Sequence, residues 1–230
     1  MHIRPLHHWP RTYRTAVALQ ERLRGMVRIE PLAGPVSTVA GVDVAYEKRT
    51  APVYAGIVVM RLPGLEVIEE VVVCRRASFP YIPGLLTFRE GPAVLAAFRR
   101  LKTEPDAVIF DGQGLAHPRR FGLASHLGVW LDRPTVGCAK SRLVGEHGPV
   151  PPEKGAWAPL TIDGEAVGAA LRTRQGVKPV FVSPGTRIDL EGAISLVLRC
   201  CAGYRLPEPT RRAHALVTRA TGERMIAPNA

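Results

Sequence analysis

The chain has 230 residues, 46% of them apolar and 22% charged, with a formal net charge of +11. That length and apolar content suit one sizeable core, so a single domain over residues 1–230 is expected, with no long disordered tail and no repeat array. No run nears the roughly 20 apolar residues that span a bilayer, and the opening MHIRPLHHWPRTYRTAV lacks a signal peptide's apolar centre; no membrane association and a cytoplasmic location are expected.

Tyr13 to about Val27 carries apolar residues at helical spacing, and PLAGP ends that segment. Val36 to Tyr46 (VSTVAGVDVAY) reads as a buried strand. VYAGIVVMRL and EVIEEVVVCRR then read as an antiparallel hairpin about an LPG turn. After a proline-rich loop, FREGPAVLAAFRRLK has helical spacing with Pro92 placed in the first turn, where a missing N–H is tolerated. DAVIF reads as a fully buried strand, DGQGLAHPRR as a polar loop, FGLASHLGVWLD as a helix and PTVGCAKSRL as a short strand. One or two further strands are expected between Trp157 and Phe181. VSPGTRIDLEGAISLVLRCC leads into a helix with Asp189 as its N-cap, and EPTRRAHALVTRAT sets Ala213, Leu216, Val217 and Ala220 on one side of a last helix. Three antiparallel strands followed by alternating helices and parallel strands predict an α/β fold, a mixed sheet flanked by helices.

The positive groups are mostly Arg, whose fork suits bidentate phosphate contacts, so a polyanionic partner is expected; a basic surface without a ligand is the alternative. The cysteines, at positions 74, 138, 200 and 201, form no C-x-x-C pair and no zinc spacing, and are read as reduced, mostly buried thiols.

Asp43 interrupts an otherwise interior strand, where an unpaired carboxylate is costly; it is either paired at the strand's end or functional. Asp111 follows AVIF directly, at the carboxyl end where open α/β sheets place ligands. Two carboxylates brought together there repel, and a divalent cation relieves the repulsion; oxygen donors without cysteine or paired histidine suit Mg²⁺ or Mn²⁺. Glu90 is a third candidate carboxylate, or an acid favouring a helix N-terminus. His117 in LAHPRR either positions water or a phosphate or is a loop histidine fixed by the next proline. Lys140 in VGCAKSRL is a phosphate contact, an anchor for the carboxylates, or a strand-end lysine in solvent. DGQG is either a close approach of backbone to a flat ligand or an ordinary turn.

Taken together, AGVDVAY, PYIPGLLTFRE, DGQGLAHPRRFGLASHLG and GCAKSRLVGE, in this order and spacing, resemble the motifs of endonuclease V, over about Pro10 to Val217. The resemblance implies a ribonuclease H-like fold and a Mg²⁺-dependent endonuclease acting on double- or single-stranded DNA with deaminated bases, hypoxanthine above all. The family cuts the second phosphodiester bond on the 3′ side and leaves 3′-hydroxyl and 5′-phosphate ends. By motif, Asp43, Asp111 and Glu90 correspond to the metal-binding acids, and His117 and Lys140 to groups assisting at the scissile phosphate. His214 corresponds to a histidine of the C-terminal helix, and a monomer is the family default.

The resemblance also gives the PYIP loop a role. Pro80 and Pro83 restrain the chain around Tyr81 and Ile82, making a wedge that fills the gap left by a displaced base at little entropic cost. Gly84, Leu85, Gly112 and Gly114 are expected to form the base pocket. Hypoxanthine offers an acceptor at O6 and a donor at N1, adenine the reverse, so fixed main-chain groups can separate them. The rival readings are a catalytically silent module that binds damaged nucleic acid and another nuclease of this fold, such as a junction resolvase.

Overall fold

The computed structural model describes residue 3, residues 5–46 and residues 52–226. Helix α1 (Tyr13–Leu23) precedes three strands, β1 (Thr38–Tyr46), β2 (Pro52–Arg61) and β3 (Glu66–Arg76). Then come α2 (Leu86–Arg100), β4 (Ala107–Phe110), α3 (Leu123–Leu131) and β5 (Thr135–Ala139). The chain ends with β6 (Trp157–Ile162), β7 (Glu165–Leu171), β8 (Val180–Thr186), α4 (Leu190–Arg199) and α5 (Glu208–Ile226).

All eight strands form one sheet in the order β3-β2-β1-β4-β5-β8-β7-β6. The β1, β4 and β5 pairings are parallel and the others antiparallel, so the expected mixed sheet is present. Helices cover both faces. Because successive side chains alternate across a strand, Ala40, Val42, Val108 and Phe110 pack under α2 and α3, whereas Val39, Ala107, Ile109, Val136 and Cys138 pack under α4 and the start of α5. Helix α1 lies apart on a smaller cluster, where Ala16, Leu19 and Leu23 meet Phe79, Leu85, Phe88 and Phe121.

Two parts of the fold differ from the sequence reading. Helix α2 begins at Leu86, so Pro92 lies in its interior rather than its first turn and costs one backbone hydrogen bond there. The stretch from Trp157 to Phe181 supplies β6, β7 and the start of a third strand, β8, which runs on through Pro184. Pro184 is tolerated because the register against β5 shifts at that point, Val136 pairing with Pro184 and Thr135 with Thr186, a bulge that needs no ladder donor. Asp189 caps α4 as expected, its Oδ1 accepting from the Gly192 N–H at 2.7 Å. Cys138, Cys200 and Cys201 are buried thiols and Cys74 is exposed, none of them in a disulfide.

Helix α5 lies directly on the sheet because glycines floor its track. A Cβ at Gly41 of β1 would stand 2.0 Å from the Pro209 carbonyl carbon, and one at Gly56 of β2 would stand 2.5 Å from a Val217 methyl. The helix in return buries Ala213 and Val217 completely. Gly41→Ala is therefore expected to push α5 off β1 and destabilise the fold by about 1–3 kcal/mol. Gly25, with no atom within 4 Å of such a Cβ, is the control: Gly25→Ala should leave the melting temperature near that of the parent, and equal melting of the two variants would refute the close-packing account.

Candidate active site at the carboxyl ends of the central strands

Parallel pairing of β1 with β4 sets Val42 opposite Phe110, and the Asp111 N–H continues the ladder to the Val42 carbonyl at 3.1 Å. Asp43 and Asp111 thus follow matched positions on neighbouring strands. By alternation both continue the rows of Val39 and Ile109, on the α5 face, and Lys140 continues the row of Val136 and Cys138 on the same face. All three side chains line one cavity of about 580 Å³ that also takes in Glu90, His117 and His214.

Each acid has a partner. Lys140 Nζ is 2.7 Å from Asp111 Oδ2, and His214 Nδ1 donates to Asp43 Oδ2 at 2.7 Å from α5. Lys140 thus pairs with a carboxylate while its side chain stays 41% exposed, and Asp43 has the partner its burial demands. Burial pushes the Asp43 carboxyl up, the charge of Asp111 adds to that push, and His214 and Lys140 oppose it.

Glu90 reaches the cavity from α2, on the opposite face of the sheet. It lies inside that helix, not at the end of the preceding loop, and is buried. Burial pushes its carboxyl up to about 8; a hydrogen bond from the Tyr46 hydroxyl opposes this, and the charges of Asp43 and Asp111 add to it. Arg89 roofs the Tyr46 ring at 4.8 Å from the centroid and donates to the Phe79 carbonyl at 3.0 Å. Among the described residues, no three His, Cys, Asp or Glu side chains stand close enough together to hold a metal ion as they are.

His117 lines the cavity while its ring is hydrogen-bonded to the surrounding loops. Its Nε2–H donates to the Gly84 carbonyl at 2.9 Å and its Nδ1 accepts from the Arg119 N–H at 3.2 Å, so both ring nitrogens have partners. Burial pushes the imidazole down to about 4, so it is a neutral brace.

The wedge and pocket residues divide. Tyr81 is 54% exposed at the cavity mouth beside Pro83, with Pro80 also exposed; Ile82 instead packs onto the α1 cluster and anchors the loop. Gly84 and Gly112 line the cavity, but Leu85 is fully buried in the α1 cluster and Gly114 is pressed against β8, its N–H donating to Ser183 Oγ at 2.8 Å. Leu85 and Gly114 therefore support the wall from behind. The Leu85 N–H is also taken, by the Ile82 carbonyl at 2.9 Å. Among the described residues the N–H groups of Gly84 and Gly112 form no hydrogen bond and remain for a ligand.

Sequence reading missed Tyr46, Gln20 and Arg119. Tyr46 and Arg119 stand inside motifs quoted for other residues, and Gln20 reads as an ordinary member of an amphipathic helix.

A buried acidic centre at the strand ends of a ribonuclease H-like α/β sheet defines a nuclease. The chain belongs to the endonuclease V family, whose model, described as Endonuclease V, matches residues 21–215. An Endonuclease V of Roseiflexus sp. (strain RS-1) is 53% identical over 210 residues, covering 91% of this chain and 94% of its own. The crystal structure of the Endonuclease V from Streptomyces avermitilis superposes with a TM-score of 0.90 at 46% identity, covering 94% of this chain and 96% of that one. The Ciona intestinalis Endonuclease V, solved in complex with a 24mer DNA containing an inosine followed by a ribo-adenosine, superposes with a TM-score of 0.78 at 28% identity, over 91% of this chain and 98% of that one.

The raised Glu90 carboxyl has a measurable consequence. A carboxyl at about 8 when folded against 4.5 when unfolded contributes in full below pH 4.5, and that stability is lost as pH rises toward 8. In EDTA, Glu90→Gln should melt above the parent at pH 8 by an amount on the order of a few kcal/mol, the two curves meeting near pH 4.5. Parallel curves across that range would show that Glu90 is not the strained acid.

Proposed function

We propose that this protein is a divalent-cation-dependent DNA repair endonuclease that recognises deaminated bases, deoxyinosine above all, and hydrolyses the second phosphodiester bond on the 3′ side of the lesion. The observation that carries the reading is one cavity holding Asp43, Glu90 and Asp111 at its floor and an exposed Tyr81 at its mouth. It works as a single-domain cytoplasmic monomer on double- or single-stranded DNA. The position of the cut rests on family membership.

The donor set fits Mg²⁺, with Mn²⁺ a substitute. It is all carboxylate oxygen, and burial together with mutual repulsion holds Asp43 and Glu90 above their ordinary values, a strain that a divalent cation relieves. Asp43, Asp111 and Glu90 are the groups that would hold it, and an ion bound there would supply Lewis-acid polarisation of the phosphate and of a water. The residues themselves supply the rest. Lys140 places an ammonium beside Asp111 for the phosphate oxygens, and His214, half exposed on α5, orients Asp43 while facing the DNA. Hydrolysis joins the water oxygen to phosphorus and breaks the P–O3′ bond, and O3′ leaves with a proton, giving 3′-hydroxyl and 5′-phosphate ends.

Tyr81, held between Pro80 and Pro83, enters the stack as the lesion leaves it. Aromatic stacking is worth about 1–3 kcal/mol per base, comparable to the cost of unstacking one damaged nucleotide. The Gly84 and Gly112 N–H groups then meet the acceptor O6 of hypoxanthine, where adenine would present a donor.

The test is cleavage of a labelled duplex carrying one deoxyinosine, beside an undamaged control, with Mg²⁺ and with EDTA. Mg²⁺-dependent incision at the second 3′ bond is expected; tight lesion binding without incision would mark a silent binding module and overturn the assignment. Asp43→Ala and Asp111→Ala should each abolish incision while DNA binding persists, and retained cleavage in both would sink the acidic centre.

Tyr81→Ala should lower the preference for inosine by about tenfold, the order of one stacking contact. Unchanged preference would refute the wedge. Binding of any duplex should also weaken steeply with added salt, as release of counterions from phosphates requires.

A further inference from the structure

We infer that Gln20, a helix α1 residue remote from the acids, is a specificity-determining positioning residue that sets the base-receiving turn through the Gly84 carbonyl. The inference rests on the proposed deoxyinosine reading and deepens it. Gln20 is 1% exposed, on a helix face otherwise buried by Ala16, Leu19 and Leu23. A buried amide in apolar company must be satisfied, and this one is. Its Nε2 donates to the Gly84 carbonyl at 3.1 Å and to the Phe121 carbonyl at 3.2 Å, while its Oε1 accepts from Arg119 Nε at 2.6 Å. The opposite amide orientation would set oxygen against both carbonyls, so the network admits one.

Gly84 is the focus. Its carbonyl receives Gln20 Nε2, Arg119 Nη2 at 2.9 Å and His117 Nε2 at 2.9 Å, three donors on one oxygen. The N–H at the other end of the same peptide unit, that of Leu85, is held by Ile82. The unit is therefore fixed at both ends, in a backbone with φ of +77°. Tyr81 and Pro83 hang from one side of it and α2 starts on the other, so the clamp fixes where the wedge stands relative to the cavity. No clamp atom bonds to an acid; Asp43, Asp111 and Glu90 have His214, Lys140 and Tyr46 for partners. Loss of Gln20 should disturb how the base is received and leave hydrolysis intact.

The experiment compares Gln20→Met, of similar length but without the amide, with the parent on inosine and adenine duplexes. Loss of hydrogen bonds to one buried carbonyl predicts a KM for the inosine duplex raised about tenfold, kcat unchanged, and a matching loss of inosine preference. Gln20→Glu keeps an acceptor for Arg119 but opposes both carbonyls and should show the same split, as should Arg119→Met should Gln20→Met fail to fold. Because both side chains act on one oxygen, the Gln20→Met/Arg119→Met pair should cost less than the sum of the two.

Parent-like KM and preference, or a fall in kcat at unchanged KM, overturns the inference. Exchange of the Leu85 amide gives a readout without substrate: it should quicken about tenfold in Gln20→Met, and unchanged exchange denies the clamp. A parent that cuts undamaged and inosine duplexes alike overturns the deoxyinosine reading, and the specificity role with it, whereas a selective parent with a selective Gln20→Met variant overturns the clamp alone.

Discussion

Two aspartates at matched positions on neighbouring parallel strands repel each other, and much of this molecule is arranged around that repulsion. A sheet can bring Asp43 beside Asp111 only if β1 and β4 pair in parallel, because then both carboxyl ends fall on one edge. Once there, the acids need cations. Lys140 from the next parallel strand supplies an ammonium and His214 from the last helix a hydrogen bond from its imidazole, each at 2.7 Å. Glu90 adds a third acid from the other face, relieved by the Tyr46 hydroxyl and by the charge of Arg89; burial pushes the Tyr46 phenol well above its usual value and keeps it a donor. The centre is left electrostatically unfinished, which is the state a divalent cation would complete.

The remainder of the architecture serves to hold those groups at one edge. His214 can reach Asp43 only because α5 lies flat on β1 and β2, and α5 lies flat only because Gly41 and Gly56 leave room for its backbone and for Val217. A small residue deep in a strand thus governs a side chain at the site. Ser183 acts similarly from β8: its hydroxyl secures the Gly114 N–H, and the Pro184 carbonyl takes the Leu115 N–H at 2.8 Å, so the loop after β4 is stapled to a strand far away in sequence.

Periodicity made the element order and the parallel pair legible, because the rows of apolar residues in VAGVDVAY and AVIF end in acids at equivalent places. It misplaced Pro92 and β8, since proline reads as a boundary unless a longer helix or a bulge absorbs it, and both depend on partners that sequence spacing does not reveal. The acids were legible one by one because a carboxylate in an apolar run is costly. Leu85 and Gly114 were assigned to the cavity from their motifs, yet both brace its wall from behind, while His117 lines it; a motif marks which residues belong together, and only packing decides which side of the wall they face. Gln20 was invisible for the converse reason, as a glutamine in an amphipathic helix is unremarked until its burial is known.

In the proposed reading, recognition and chemistry occupy different supports. The acids hang from the ends of β1 and β4 and from α2, whereas the Gly84 turn is gripped by α1 and by the loop carrying His117 and Arg119. The two meet through α2, which starts beside Gly84 and carries Glu90 in the same helix. A turn moved by a fraction of an ångström changes where a base lies while Lys140 and His214 still hold their aspartates. A chain with a net charge of +11 attracts any phosphate backbone regardless of sequence, so selection of a lesion has to come from such a rigid local feature and not from affinity for DNA. Rigidity is also what the proposed tyrosine wedge would require: a mobile loop would lose to ordering entropy much of what stacking provides.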